Sequence, residues 1–372
     1  MKKLHIVCHT VPYPADYGGV IDIFHKIKCL KEAGVEITLH CFTYDRISQS
    51  ELTKYCTEIF YYKRFTGCKG FAFFSPYIVN SRKHKNLLFN LTKNNNPILL
   101  EGIHCTGFVR QLLKCNRKTI LRLPNVESIY YRNLFNIEKS IFKKIFFLYE
   151  SILLKLYEKS LPKNLPILSI SKSDTEYCTN LYKQISTTWL PAFVPFSELK
   201  IRSGIGSYCL YHGNLSINEN EEAVSYLIEN VFSKTNIPFV IAGKTPSKQL
   251  IKEAGKHKNI QIIFHPSDEE LQELVSNAQI NILPSFNNTG IKLKLLNVLF
   301  NGRHCVVNDS AVKGSGLELA CHISSNEITM LKMVTNLFEQ PFNNLYVQKR
   351  EKIVMDIYNN SKTTQQLIEA IW

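Results

Sequence analysis

The chain has 372 residues, 45% hydrophobic and 20% charged, which is enough for two buried cores and too much for one ordinary core. No apolar run reaches the ~18–20 residues that a membrane-spanning helix needs. Eleven cysteines are scattered from Cys8 to Cys321 with no Cys-x-x-Cys pair, which argues against a disulfide scaffold and against a clustered zinc site. The net charge is +14, and most of the excess lies in the first half: residues 1–198 hold 28 basic and 15 acidic residues, against 17 and 16 in 199–372. A basic surface suits phosphorylated ligands, anionic lipid or nucleic acid, but no interleaved aromatic-basic motif supports nucleic acid.

In chain order, "LHIVCHT" reads as a first buried strand. Its apolar run stops too early for a signal peptide and no small-residue cleavage site follows, so the expectation is a cytoplasmic protein. "GGVIDIFHKIKCLKEAG" has apolar residues at helical spacing and stops on Gly34. "VEITLHCF" is a second strand, and "NPILLEG" and "KTILRLPNVES" are later ones. Residues 138–163 predict an amphipathic helix with a stripe at Ile141, Ile145, Leu148, Ile152 and Leu156, broadened by Phe142, Tyr149 and Leu153. Lys143, Lys144, Lys155 and Lys159 lie off that stripe. Packing on its own domain and contact with anionic lipid both fit such a helix. "LPILSISKSDTEYCTNLY" is a strand followed by a helix capped by Ser171 or Ser173.

Around "WLPAFVPFSELKIRSGIGSY" prolines, glycines and polar residues break the pattern and read as a linker. A second series follows: strands in "YCLYHGN", "IPFVIAG", "NIQIIFHP" and "INILPS", with helices in "NEEAVSYLIENVFSK", "SKQLIKEAGKH" and "DEELQELVSNA". Strands alternating with helices imply parallel sheets covered on both faces. The expected organisation is α/β, with a Rossmann-like domain at 1–195, a second at 196–372, and a central cleft between facing sheets. A terminal helix near 359–372 would return to the first domain.

Several tempting motifs fail. "AGKT" at 242–245 lacks the upstream glycine of a P-loop, because Pro238 stands there. No Gly-x-Ser-x-Gly elbow exists. What remains are loops at strand ends: Gly18-Gly19, Gly213-Asn214, Lys244, His265 and "LPSFNNTGIKLK". In parallel sheets such loops gather along one edge, where ligands bind. Lys292 and Lys294 stand at the start of a helix expected near Thr289 or Gly290, where the macrodipole disfavours cations. A bound anion would remove that conflict. At ~100° per residue Lys294 would share a face with Asn297 while Lys292 points away.

The order of these pieces resembles the retaining GT-B glycosyltransferases classed as family four, over nearly the whole chain. Gly18-Gly19 match the family's first loop, "RLPNVE" its Arg-x-His-Asn-x-Glu, and Ser171–Asp174 its Ser-x-x-Asp. "PSFNNTGIKLKLLNVLFNGRHCVV" matches the run that carries its two glutamates, which fall here on Thr289 and Asn297. The family's loop histidine falls on Pro124, and its early second-domain Arg and Lys fall near Asn214. The "GIKLK" form is similar to that of bacterial cell-surface polysaccharide enzymes, of the lipopolysaccharide and capsule kind.

The resemblance implies hexosyl transfer from a UDP- or GDP-linked sugar to a lipid-linked glycan, without a metal or other cofactor. The charge split and the 138–163 helix add an expected peripheral contact with an anionic membrane surface, on the inner face of the plasma membrane. The resemblance places the donor against Gly18, Gly19, Gly213, Asn214, Lys244, His265, Thr289, Gly290, Ile291, Lys292, Lys294 and Asn297. The acceptor side would use Asp16, Tyr17, Arg122, Asn125 and Glu127. Lys294, Asn297 and Glu127 are the catalytic candidates. A sugar-nucleotide epimerase and a non-catalytic paralogue that binds a partner transferase remain open alternatives.

Overall fold

The computed structural model describes residues 1–181, 185–287 and 290–372. The chain divides into two compact units. One comprises Met1–Pro195 with Thr289–Ile291 and Tyr358–Trp372, and the other Phe196–Asn288 with Lys292–Ile357.

The first unit holds a seven-stranded sheet built from β1 (Lys3–Cys8), β2 (Glu36–Thr43), β3 (Glu58–Lys63), β4 (Ile98–Glu101), β5 (Thr119–Leu123), β6 (Ile167–Ser169) and β7 (Thr187–Trp189). Their order is β3-β2-β1-β4-β5-β6-β7, and every neighbouring pair is parallel. Successive side chains of β1 serve opposite faces. Leu4, Ile6 and Cys8 pack with Ile23, Ile27 and Leu30 of the first helix, Gly18–Glu32. Val7 joins Leu100, Leu121 and Leu154 on the other face. The terminal helix, Asn360–Ile371, adds Leu367 and Ile371 to the first of these cores.

The second unit holds β8 (Cys209–Asn214), β9 (Phe239–Lys244), β10 (Ile260–Phe264), β11 (Ile280–Ile282), β12 (His304–Asn308) and β13 (His322–Ser324). The order is β10-β9-β8-β11-β12-β13, again parallel throughout. Both sheets therefore present a single edge made only of strand C-termini, the edge at which loops can converge on a ligand.

Three sequence expectations change. The front of the expected linker is core: Leu190, Ala192, Phe193 and Val194 are buried. The Phe193 amide donates to Asp22 Oδ1 at 2.7 Å, and Arg122 donates to the carbonyls of Leu190 and Pro191 at 3.2 and 2.9 Å. Secondly, the helix expected over 138–163 forms as Ile141–Lys159, but it buries the opposite face. Glu150, Ser151, Leu153, Leu154 and Glu158 point inward, whereas Ile141, Phe142, Ile145, Ile152 and Leu156 are exposed. Hydrogen bonds decide this choice. Glu150 accepts from the Ile78 amide at 3.0 Å, Ser151 donates to the Ser128 carbonyl at 3.0 Å, and Glu158 accepts from the Ser128 amide at 3.0 Å. Thirdly, the lysine-bearing helix runs Leu293–Asn301 and so starts later than Gly290. Gly290 has φ 63 and Lys292 is in extended backbone, and neither conformation continues a helix.

Candidate functional site

At the strand-end edge of the second unit, β8 and β9 finish side by side, with Gly213 opposite Gly243 and Asn214 opposite Lys244. A Cβ on Gly243 would lie 2.2 Å from the Gly213 carbonyl oxygen, so this glycine serves strand contact rather than phosphate binding. Asn214 closes its own turn: its Oδ1 accepts from the Ser216 amide at 3.1 Å and from the Ser216 hydroxyl at 2.8 Å. Lys244 and His265 end β9 and follow β10, both exposed; His265 has φ 49, and its amide donates to the Gly243 carbonyl at 3.0 Å.

The chemistry gathers one strand further on. Lys294 Nζ donates to Tyr211 Oη at 2.9 Å and to Asn220 Oδ1 at 3.0 Å, and it sits 4.6 Å from the centre of the Tyr211 ring. Among the described residues no carboxylate lies within 4.0 Å of this ammonium. Burial pushes its pKa down to about 8, with Lys292 adding to the effect and Glu219 opposing it. The neighbouring His212 is held near 3 by burial and by Lys294, and is therefore neutral.

Glu219, in the first turn of the helix Asn218–Asn230, is the counterweight, and sequence reasoning missed it. It accepts from Ser285 Oγ at 2.8 Å and Asn287 Nδ2 at 3.4 Å, and lies 3.9 Å from Lys292 Nζ. The expected division between the two lysines is thus corrected. Lys292 precedes the helix, helical phase does not govern it, and its head turns toward Glu219. Asn297 Oδ1 accepts from Asn301 Nδ2 at 2.9 Å, which engages the amide expected to meet a ribose. Thr289 lies outside the described residues.

The first unit supplies a second cluster. The helix Gly18–Glu32 begins with no side-chain cap and no acidic residue in its first turn, leaving its N-terminal amides oriented for an anion. Asp16 is ion-paired with Arg46, whose guanidinium stacks 4.9 Å over the Tyr17 ring. Arg122 does not face a ligand. It is fully buried and bonds Asp22 at 3.0 Å, while Lys26 bridges Asp22 and Glu101 at 3.1 and 2.7 Å. Burial alone would raise the Asp22 pKa, but Arg122 and Lys26 hold it well below the usual carboxylate range.

Glu127 is buried at the start of the helix Glu127–Ile137. Burial and the nearby Glu158 lift its pKa to about 8, against a hydrogen bond from Asn125. It is therefore a protonated acid near neutrality. Gly290 and Ile291 group with this unit: the Gly290 amide donates to Asp174 Oδ2 at 3.3 Å, and a Cβ on Gly290 would meet Asn125 Oδ1 at 2.1 Å. Beside these, His9 and His104 stack with ring centres 4.9 Å apart just past β1 and β4. Arg82 Nε donates to the His9 carbonyl at 2.9 Å. Both Nδ1 atoms are buried, with no hydrogen-bond partner among the described residues. Their signal in the sequence was a histidine shortly after a strand end, in "VCHT" and "EGIHC".

Residues 206–322, which contain the Lys294 cluster, match the family model described as glycosyl transferases group 1. A Klebsiella pneumoniae protein described as an uncharacterized 44.6 kDa protein in the cps region is 29% identical over 361 residues, covering 90% of this chain and 91% of its own. Among solved structures, Anabaena HepE in complex with UDP and glucose superposes at a TM-score of 0.66 and 9% identity, covering 100% of this chain and 99% of its own. A Rickettsia africae glycosyltransferase gives 0.66 and 12%, covering 100% and 97%. The fold is GT-B, and its second unit carries the segment that matches the group 1 glycosyl transferase model.

Proposed function

We propose that the protein transfers a hexose from a nucleotide-diphosphate sugar to a lipid-linked glycan in bacterial surface polysaccharide synthesis, with retention and without a metal. The observation that carries the donor assignment is the Lys294 ammonium, half-buried at a helix start with, among the described residues, only neutral acceptors within hydrogen-bond distance. Taking a cation out of water and placing it beside a positive helix end is costly, and a diphosphate offsets both costs. Catalysis would then rest on positioning and on stabilising the leaving diphosphate. UDP in the HepE structure and the cps-region description of the Klebsiella relative support the donor and polysaccharide readings. The test is a thermal-shift panel of UDP, GDP, ADP and their sugars. A ligand at 100 times its dissociation constant adds about 2.7 kcal/mol, and a shift with no member of the panel sinks the donor assignment. Asn297, its amide tied to Asn301, favours a second reading as a binding-only paralogue. Saturable nucleotide binding with no transfer to any glycan-lipid acceptor would favour that reading.

A further inference from the structure

The helix Ile141–Lys159 leaves its most apolar face uncovered. At ~100° per residue, Ile141, Phe142, Ile145, Tyr149, Ile152 and Leu156 fall within an arc of about 100°. Phe142 is 87% exposed and Ile145 62%. A second segment extends this face. Phe73 and Phe74 are 72% and 97% exposed in the stretch before the helix Tyr77–Asn80. The Tyr149 hydroxyl donates to the Phe73 carbonyl, and Tyr77 meets Phe146 edge-on at 6.3 Å. Two chain segments some 70 residues apart thus hold aromatic side chains beside one apolar stripe, and nothing among the described residues covers either.

The rim is basic. Lys144 and Lys155 border one side of the arc, and Lys159 lies in line with it at the end of the same helix. The one acid before the helix, Glu138, turns its carboxylate to the Lys139 and Ser140 amides, both at 2.9 Å. A large exposed apolar patch marks an interaction surface. Protruding side chains flanked by lysines suit an anionic bilayer, with phenylalanines inserted at the headgroup level and lysines among the phosphates. No helix among the described residues is long and apolar enough to cross a membrane, so this would be contact from one side.

We propose that this face of the first unit docks on an anionic lipid bilayer. The inference adds to the reading of a lipid-linked acceptor, but it does not need that reading: vesicles without glycan test it alone.

The experiment is flotation of the full chain with phosphatidylcholine vesicles, with and without 30% phosphatidylglycerol, at low and high salt. Binding should require the anionic lipid and weaken with salt. Phe73→Ser with Phe74→Ser should lower partitioning at least tenfold, and Lys155→Gln with Lys159→Gln about fivefold per lysine. All four positions are solvent-facing, so melting temperatures should be unchanged. Light scattering on the same samples reads the oligomeric state. Absence of binding at low salt, binding that survives both double variants, or a dimer dissolved by the phenylalanine variant would each overturn the proposal. Failure here leaves nucleotide binding and transfer untouched.

Discussion

If Lys294 waits for a diphosphate, nucleotide binding should take up a proton. With a pKa of about 8, roughly half of the Lys294 side chains are neutral at pH 8 in the free protein. A diphosphate beside the amine favours the charged form, so UDP binding at that pH should draw about half a proton per site from solution and almost none at pH 6.5. The assay is titration calorimetry in two buffers of different ionisation enthalpy, whose heats differ in proportion to the protons moved. Lys294→Met should abolish the difference and weaken binding by about 10- to 100-fold, the equivalent of one charge-assisted hydrogen bond of roughly 1.5–3 kcal/mol. The variant should fold, because Tyr211 Oη already lies 3.1 Å from Asn220 Oδ1 and the pair satisfies itself. Lys292→Met should cost less, since Glu219 already balances that charge at 3.9 Å. Stability supplies an independent sign. The folded-state pKa is depressed, so the unfolded chain binds more protons between about 8 and 10.5 and wild-type stability should rise there, an increment that Lys294→Met loses. Equal buffer heats for the wild type at pH 8, or a Lys294→Met variant with undiminished affinity, would refute the assignment.

Three further outcomes follow from other parts of the molecule. Asp22→Asn keeps the side-chain shape but strips Arg122 and Lys26 of their shared carboxylate, and should cost about 3–5 kcal/mol in urea unfolding; a loss under 1 kcal/mol would mean the network is not holding the unit together. Glu127, raised to about 8 in the fold, stabilises fully below the usual glutamate range and loses that contribution as pH rises toward 8. Glu127→Gln should therefore flatten the fall in melting temperature between pH 5 and 9, and matching slopes in both proteins would exclude the effect. Transfer should persist in EDTA, with the lysines supplying the leaving-group charge; abolition by EDTA and rescue by Mg²⁺ or Mn²⁺ would show otherwise.

Much of the architecture could be read from residue pattern. β1, β2 and β4 are largely buried, apolar-rich strands in the middle of a doubly covered sheet, and they register clearly in the sequence. The strands that escaped notice lie at or beside sheet edges. β3 is only partly buried, and β7 and β13 have three residues each, too few for a period to register. Periodicity went only half-way on the Ile141–Lys159 helix. It identified the apolar stripe but not which side faces the unit, because buried Glu150 and Glu158 are held by backbone amides some 70 and 30 residues away. Of the site, the strand-end loops and the lysine pair were visible as punctuation. Glu219, Tyr211 and Asn220 were not, since each looks like an ordinary helix or strand residue until β8 and its following helix bring them under Lys294.

That juxtaposition explains how a chain can keep a lysine where the helix dipole opposes it. A carboxylate in contact with Lys294 would be the obvious remedy, and Glu219 stands nearby, but it is turned to Ser285, Asn287 and Lys292. Lys294 receives instead a phenol oxygen, an amide oxygen and an aromatic face, which solvate an ammonium without cancelling its charge. A direct ion pair would have to be broken before a phosphate could bind, and breaking a buried pair is expensive. Neutral ligands hold the lysine in place and leave its field available. The arrangement gives up some stability of the free unit in exchange for a cation already positioned when the donor arrives, which is the form that preorganised electrostatic binding takes.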